Sequence, residues 1–156
     1  MHMVRMETLS EAEQKLLLSL PCPTFETNPW VSGPPLSQRR VAIITTAGLH
    51  RRNDRPFSLD PNDFYRVIPG DAQANDLVMS HISASFERSG FQRDWNVVFP
   101  LDRLREMAEE GIIGSLADFH YSVNVAHPAD EFKAPSKEIA GLFKKDNVDA
   151  VLLFPV

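Results

Sequence analysis

The chain has 156 residues, 43% of them apolar and 24% charged, which is the composition of a folded globular protein with one hydrophobic core. Its net charge of -5 at pH 7 would repel a phosphate backbone, so nucleic acid is not expected as a partner. The apolar runs are much shorter than the roughly 20 residues that span a bilayer, and the N-terminus lacks a signal-peptide pattern, so we expect a cytoplasmic protein without membrane contact.

The first predicted element is a helix from about Ser10 to Leu20. Ser10 and Glu13 have the spacing of a capping box, in which each side chain accepts a hydrogen bond from the backbone N–H of the other residue. Prolines at positions 21, 23, 29, 34 and 35 follow, and they predict an extended arm with turns. We therefore divide the chain into an N-terminal helix and proline-rich arm at 1–40 and an α/β domain at 41–156.

The arm contains the single cysteine of the sequence, Cys22. One thiol cannot form an internal disulfide, which fits a reducing compartment. The sequence has no second thiol to resolve a reaction intermediate, so we interpret Cys22 as a bystander in any chemistry.

Short apolar runs predict the strands of the second domain. Val41–Thr45 has the β-branched composition of a strand that is buried on both faces, and Val148–Phe154 has a similar pattern. A further strand is predicted at Asn96–Phe99, a long loop at Arg51–Asp63, and an edge strand that ends in a Pro-Gly turn at Arg66–Asp71.

Two helices are predicted before the last strand. Pro100 starts the first and Gly111 ends it, whereas Pro135 starts the second. Each has one apolar face, formed by Leu104, Met107 and Ala108 in the first and by Ile139, Leu142 and Phe143 in the second. The alternation of strands and helices predicts an α/β fold with a three-layer, mostly parallel sheet flanked by helices, of the Rossmann/flavodoxin-like kind.

The last predicted strand is followed by Pro155 and Val156 alone. Ligands of open parallel sheets bind at the loops that leave the carboxyl ends of the strands, and no such loop follows this strand. We therefore expect the α/β domain to be truncated at its C-terminus. The alternative is a chain that naturally ends on a strand.

Seven stretches, taken together in their order and spacing, carry a family resemblance. They are Val41–His50, Arg55–Phe57, Tyr65–Asp71, Asp76–His81, Asn96–Arg105, Ile113–Leu116 and His120–Tyr121. In that order the sequence resembles the selenoprotein B family, which comprises component B of glycine, sarcosine and betaine reductases and the related D-proline reductase subunit. The resemblance runs from about Leu9 to the end of the chain.

The resemblance implies an oxidoreductase that reductively cleaves a small amino-acid-like or other electrophilic substrate with a selenol or thiol, using electrons from a dithiol. In the family, the strand that Val148–Phe154 resembles leads through Pro-Val into selenocysteine or cysteine, then Pro, a variable residue and Cys. The resemblance therefore places no catalytic residue and no cofactor within the chain, and it places the redox residue directly beyond Val156. UGA encodes selenocysteine but normally stops translation. We therefore expect the natural protein to continue with selenocysteine directly after Val156. On this hypothesis the chain as given is what results when UGA is read as a stop, and we expect it to be inactive.

The resemblance also implies partners: a small-molecule substrate, other reductase subunits and a thiol electron donor. If a missing C-terminal segment normally covers the last strand, that strand is exposed in the chain as given. The exposed strand would favour a homo-oligomer. The alternative function is a non-catalytic domain that binds a small ligand or a partner subunit through the same pocket.

Six residues are candidates for substrate binding: Gly48, His50, Arg66, Asp71, His81 and His120. Gly48 and His50 leave a buried strand at the end where sites form, so His50 could act as an acid or base toward the nucleophile, or could be a loop histidine with one backbone hydrogen bond. Arg66 and Asp71 flank a Pro-Gly turn. They could bind the carboxylate and amine of a substrate, or could pair with each other.

The three histidines among these candidates raise the possibility of a metal site. His50 and His81 are 31 residues apart, and His81 and His120 are 39 apart, so no local ligand spacing is present. We therefore assign no metal to the chain.

Overall fold

The computed structural model describes residues 5–19, 24, 26–28, 30–81, 88–124 and 128–156. The chain forms two compact units, Met1–Val31 and Ser32–Val156. The first unit contains a 3-10 turn at Met6–Thr8 and helix α1 at Glu11–Ser19. Its predicted capping box is confirmed, because the Ser10 N–H donates to Glu13 Oε2 at 2.9 Å and the Glu13 N–H donates to Ser10 Oγ at 3.3 Å.

Several predictions for the arm fall on positions outside the described residues. They are the end of the first helix at Leu20, the prolines at 21, 23 and 29, and Cys22.

The second unit is built on a five-stranded sheet and a separate two-stranded one. The five-stranded sheet contains β1 (Arg40–Thr45), β3 (Tyr65–Pro69), β5 (Ser115–Leu116), β6 (Phe119–Val123) and β7 (Ala150–Phe154). The two-stranded sheet pairs β2 (Leu49–Arg51) with β4 (Leu77–Met79) in antiparallel orientation.

Strand β1 lies at the centre of the larger sheet. One of its edges pairs in parallel with β5 and then with β6, and its other edge pairs in parallel with β7 along five residues. β3 is antiparallel to β6 and lies at the edge, as predicted. The predicted α/β fold with a mostly parallel sheet is confirmed, and the three-layer Rossmann/flavodoxin-like arrangement stays a prediction.

Helices cover both faces of β1. They are α2 (Ser89–Arg93), α3 (Leu101–Glu109) and α4 (Lys133–Lys145), with 3-10 turns at Leu36–Gln38, Ala74–Asp76, Trp95–Val97 and Ala129–Phe132. Leu104 of α3 shares a core cluster with Val41 and Ile43, whereas Ile139 and Phe143 of α4 share another with Ala42.

Alternate residues of β1 thus face opposite cores, and the predicted apolar faces of the two helices are confirmed. Among the described residues, none of the helices has the length and apolar character needed to cross a bilayer.

The prediction of a strand at Asn96–Phe99 is wrong. The segment begins with a 3-10 turn at Trp95–Val97, in which the Asp94 carboxylate accepts the Asn96 N–H at 2.9 Å. The Phe99 N–H returns to the Trp95 carbonyl at 2.9 Å. These local bonds satisfy backbone groups that a strand would pair with a neighbour, so the apolar run marks burial in the core rather than a strand.

Two further predictions need correction. The predicted loop at Arg51–Asp63 starts one residue too early, because Arg51 still belongs to β2 and pairs with Leu77 in the two-stranded sheet. β7 is not buried on both faces, since Val151 and Leu153 are 39% and 67% exposed. Among the described strands, β7 pairs with β1 alone, which makes it an edge strand of the sheet.

Candidate functional site

The carboxyl end of β1 turns sharply and holds the last residues of the chain. The Thr46 N–H donates to the Phe154 carbonyl at 3.2 Å. Thr46 Oγ1 accepts the Val156 N–H at 2.8 Å and lies 3.3 Å from the Val156 carbonyl oxygen, to which it can donate. Backbone and side chain of Thr46 therefore fix where the chain leaves β7, at the sheet end where ligands of parallel sheets bind.

The same turn requires glycine at position 48. Gly48 has φ +64°, in the left-handed region that other residues rarely adopt. A Cβ atom there would lie 3.0 Å from the Cα atom of His81, and the Gly48 carbonyl accepts the Ser80 N–H at 2.9 Å. The residues after β4 thus pack directly against the turn that holds Val156.

His50 lies in β2 immediately after this turn and is 3% exposed. Its Nδ1 is 2.7 Å from the Arg51 carbonyl oxygen, and its Nε2 is 2.8 Å from Ser80 Oγ. Because a carbonyl oxygen accepts hydrogen bonds and cannot donate, Nδ1 carries the hydrogen and Nε2 accepts the Ser80 hydroxyl. The result is a hydroxyl–imidazole pair of the kind used for proton transfer.

His120 has a different environment in the middle of the sheet. β1 changes partner from β5 to β6 between Val41 and Ile44, and the Ile43 N–H in this gap donates to His120 Nδ1 at 3.0 Å. The imidazole thus replaces a missing backbone carbonyl, and its ring packs edge-on against Phe99 with centroids 5.8 Å apart.

Burial lowers the pKa of His120 to about 4, so the ring is neutral at pH 7. His120 Nε2 has no hydrogen-bond partner among the described residues. The geometry gives His120 a structural role, because its imidazole accepts the backbone hydrogen bond that β1 would otherwise lack between β5 and β6.

The three histidines do not form a metal centre. His81 is buried, its carbonyl accepts a hydrogen bond from Arg88 at 2.6 Å, and its backbone packs against Gly48. No group of three or more His, Cys, Asp or Glu side chains within the described part of the chain is placed to hold a metal ion.

Arg66 and Asp71 do not pair with each other. The Arg66 guanidinium instead pairs with Asp63 at 2.5 Å and lies 4.3 Å from the centroid of the Phe57 ring. Burial would raise the pKa of Asp63, but hydrogen bonds from Arg66 and Ser58 outweigh it and lower the pKa to about 2. The arrangement ties the Arg51–Asp63 loop to β3.

Asp71 is exposed and lies on a surface cleft that it shares with Pro69, Gly70 and residues 116–119. The structure therefore places Arg66 and Asp71 in different surroundings.

The amino end of the sheet is held by ion pairs. Arg40 at the start of β1 contacts Asp146 at 2.6 Å and Asp118 at 2.8 Å. The second oxygen of Asp146 accepts the N–H groups of Asp118 and Phe119 at 2.7 and 3.2 Å. Burial would raise the pKa of Asp146, but these hydrogen bonds, with that of Arg40 the strongest, lower it.

Comparison with known proteins identifies the family. The sequence model described as glycine/sarcosine/betaine reductase selenoprotein B matches residues 13–155 of this chain. The chain belongs to this family.

Its relatives in the selenoprotein B family are subunits of reductases. The chain is 37% identical to the D-proline reductase subunit gamma of Acetoanaerobium sticklandii, over 76% of this chain and 49% of that protein. It is 31% identical to the glycine reductase complex component B subunit gamma of Symbiobacterium thermophilum, over 85% of this chain and 32% of the relative.

The sarcosine reductase complex component B subunit beta of Peptoclostridium acidaminophilum is 29% identical, over 90% and 33% of the two chains. The chain thus spans half or less of the length of these curated relatives. No solved structure matches it.

The sequence predicts two residues of this candidate site and misses two others. Gly48 and His50 were predicted, but the hydrogen-bond partner of His50, Ser80, is 30 residues away and carried no signal of its own. Thr46 was also missed, although its place directly after a buried strand, at the carboxyl end of the sheet, could have drawn attention to it.

Proposed function

We propose that this chain is the N-terminal part of a reductase subunit that cleaves a small amino-acid-like or other electrophilic substrate, with a selenol or thiol directly after Val156 as the nucleophile. The observation that supports the proposal is the contact of Thr46 with Val156, because it holds Val156 at the carboxyl end of the parallel strands, where the proposed nucleophile would follow. Membership of the selenoprotein B family supplies the reaction class.

The chemistry requires a deprotonated nucleophile, a bound substrate and a proton for the departing group. The selenolate or thiolate attacks the substrate carbon, the carbon–nitrogen bond breaks with its electron pair on nitrogen, and the amine leaves after taking a proton. A neighbouring thiolate then attacks the selenium or sulfur, the bond from that atom to carbon breaks with its electron pair on carbon, and the carbon takes a proton. A dithiol donor reduces the resulting selenenylsulfide or disulfide with two electrons. Within this chain, Gly48 allows the backbone of His81 to pack closely against the turn, and the buried His50 and His81 lie beside it as candidates to act on the substrate through neighbouring groups.

The remaining candidates contribute less directly to this proposal. Arg66 is engaged by Asp63, His120 closes the sheet, and Asp71 lies on a separate cleft. We propose that the substrate is held by the turn at Thr46–Gly48 and by parts of the reductase complex beyond this chain. Other reductase subunits and a thiol electron donor are the proposed partners, because the relatives are named as subunits of reductases.

The direct test is the genomic DNA in frame beyond codon 156. We expect UGA or a cysteine codon, followed by codons for proline, one variable residue and cysteine. A UAA or UAG stop, or a continuation without that motif, would remove the nucleophile and contradict the reductase assignment. The function would then be that of a domain that binds a small ligand or a partner subunit without chemistry of its own.

A further inference from the structure

We propose that Ser80 and His50 form a proton relay that serves the reactive group at the carboxyl end of the sheet, an inference that rests on the proposed function. The hydroxyl of Ser80 is the end of the relay that touches the reacting atoms, and His50 acts through it as a positioning and proton-holding residue. Two hydrogen bonds define the pair, from Ser80 Oγ to His50 Nε2 at 2.8 Å and from His50 Nδ1 to the Arg51 carbonyl at 2.7 Å.

The burial of the two side chains assigns their roles. His50 is 3% exposed, so its ring is shielded from direct contact with a substrate. Ser80 is half-buried and therefore more accessible than His50, so we assign to its hydroxyl the contact with the reacting atoms. The bond from Nδ1 to the Arg51 carbonyl fixes the tautomer that leaves Nε2 free to take a proton.

The relay reaches the same turn that holds the end of the chain. The Ser80 N–H donates to the Gly48 carbonyl at 2.9 Å, and Thr46, two residues earlier, binds the backbone of Val156. The start of β2 is anchored beside it, because the Leu49 N–H donates to Ser122 Oγ at 2.7 Å. One backbone bond, from Ser80 to Gly48, and one side-chain bond, from Val156 to Thr46, thus connect the relay and Val156 to the same turn.

The proton steps balance without a further reactant. The nucleophile gives its proton to Ser80 Oγ while the Ser80 hydroxyl proton moves to His50 Nε2, which produces a selenolate or thiolate and an imidazolium. When the carbon–nitrogen bond breaks, Nε2 returns its proton to Ser80 Oγ and the hydroxyl gives one to the departing nitrogen. The pair ends in its starting state, and it takes no part in the electron transfer.

The test uses the complete subunit in its reductase complex and measures dithiol-dependent substrate reduction. Ser80→Ala should lower kcat by about 100-fold, the usual contribution of a positioned acid or base, with KM within about twofold. Ser80→Thr keeps the hydroxyl and should restore most of kcat. His50→Gln, which keeps polar groups but cannot carry the proton, should lower kcat to a similar extent.

A double variant separates a relay from two independent structural effects. If Ser80 and His50 act as one unit, the combined Ser80→Ala and His50→Gln variant should be about as slow as either single variant. Ser115→Ala, at a half-buried serine in β5 at the amino end of the sheet, is the matched control and should keep the wild-type kcat.

The relay is overturned if Ser80→Ala keeps kcat within about twofold, if Ser80→Thr is no faster than Ser80→Ala, or if the losses of the two single variants multiply. Should Ser80→Ala not fold, His50→Gln and Ser80→Thr decide the question by the same criteria. Failure of the proposed function has a different signature, since the wild-type complex itself would then show no reduction of any amine substrate.

Discussion

The two ends of the parallel strands are built from different chemistry. At the amino end, Arg40, Asp118 and Asp146 satisfy one another and the backbone around them. At the carboxyl end, uncharged polar groups of Thr46 and Ser80 face a buried imidazole and the last residues of the chain. The charged residues at the amino end thus hold the strands together, whereas neutral hydrogen-bonding groups lie at the end where ligands of parallel sheets bind.

The largest expected effect concerns His120, the buried histidine that we assign to structure. The unfolded chain takes up its proton near the ordinary pKa of 6.5, whereas the folded chain does so near 4. The stabilisation from the neutral ring is thus complete above pH 6.5 and is lost as the pH falls from 6.5 to 4, by up to about 3 kcal/mol.

Urea denaturation of the wild type and of His120→Gln at a series of pH values measures this loss. Both proteins share all other titrating groups, so the difference between their unfolding free energies isolates His120. A difference that stays constant between pH 7 and pH 4 would contradict the assignment.

The amino end can be tested with two aspartates that share one arginine. Asp146 is 11% exposed and also accepts two backbone N–H groups, so Asp146→Asn should lower the free energy of unfolding by about 2–3 kcal/mol. Asp118 is 76% exposed, and Asp118→Asn should cost no more than about 0.5 kcal/mol. If chemical denaturation showed equal losses of unfolding free energy for Asp146→Asn and Asp118→Asn, burial would not set the strength of these ion pairs.

A smaller effect is expected at Asp63, which fixes the loop before β3. Its carboxylate has a pKa of about 2 in the folded chain against an ordinary 3.8, so the stabilisation is present above pH 3.8 and is lost as the pH falls toward 2. The pKa difference corresponds to about 2 kcal/mol. Asp63→Asn should therefore be less stable than wild type at pH 6, and the gap should narrow in acid. A gap that widens in acid would reverse the assigned sign.

The smallest effect is expected on the outer face of β7. Leu153 is 67% exposed, so Leu153→Lys should change the unfolding free energy of this chain by no more than about 0.5 kcal/mol. The preceding residue, Leu152, packs against the core cluster that contains Val41 and Ile43 of β1. Leu152→Ala should therefore lower the free energy of unfolding by about 2 kcal/mol, in contrast to Leu153→Lys. If thermal melts showed that Leu153→Lys and Leu152→Ala lose similar stability, the outer face of β7 would have to be covered in solution.

The sequence predicted the elements whose pattern is local. The capping box of Ser10 and Glu13, strand β1 and the apolar faces of α3 and α4 all depend on residues within one turn or one strand. β6 was missed, because its alternation of His120 and Ser122 with aromatic residues does not form an apolar run. Its burial comes from β1 and β3 on either side.

The candidate site was predicted only in part for a similar physical reason. Gly48 and His50 follow a recognisable strand, but Ser80 reaches His50 through the pairing of β2 with β4, which the sequence did not reveal. Arg66 was given Asp71 as an alternative partner because a turn joins them. The structure pairs Arg66 with Asp63, at the end of a loop. The loop sequence has no periodic pattern, so the sequence does not predict this contact.

We propose that the carboxyl end of the sheet positions the reactive residue, and the Thr46→Val variant of the complete reductase complex tests this role of Thr46. Valine has nearly the same shape but lacks the hydroxyl that binds Val156, so kcat should fall by about 10- to 100-fold while the fold is kept. Asp118→Asn at the opposite end serves as the control and should keep the wild-type kcat. Full activity of the Thr46→Val enzyme would show that the Thr46 hydroxyl does not position the reactive residue.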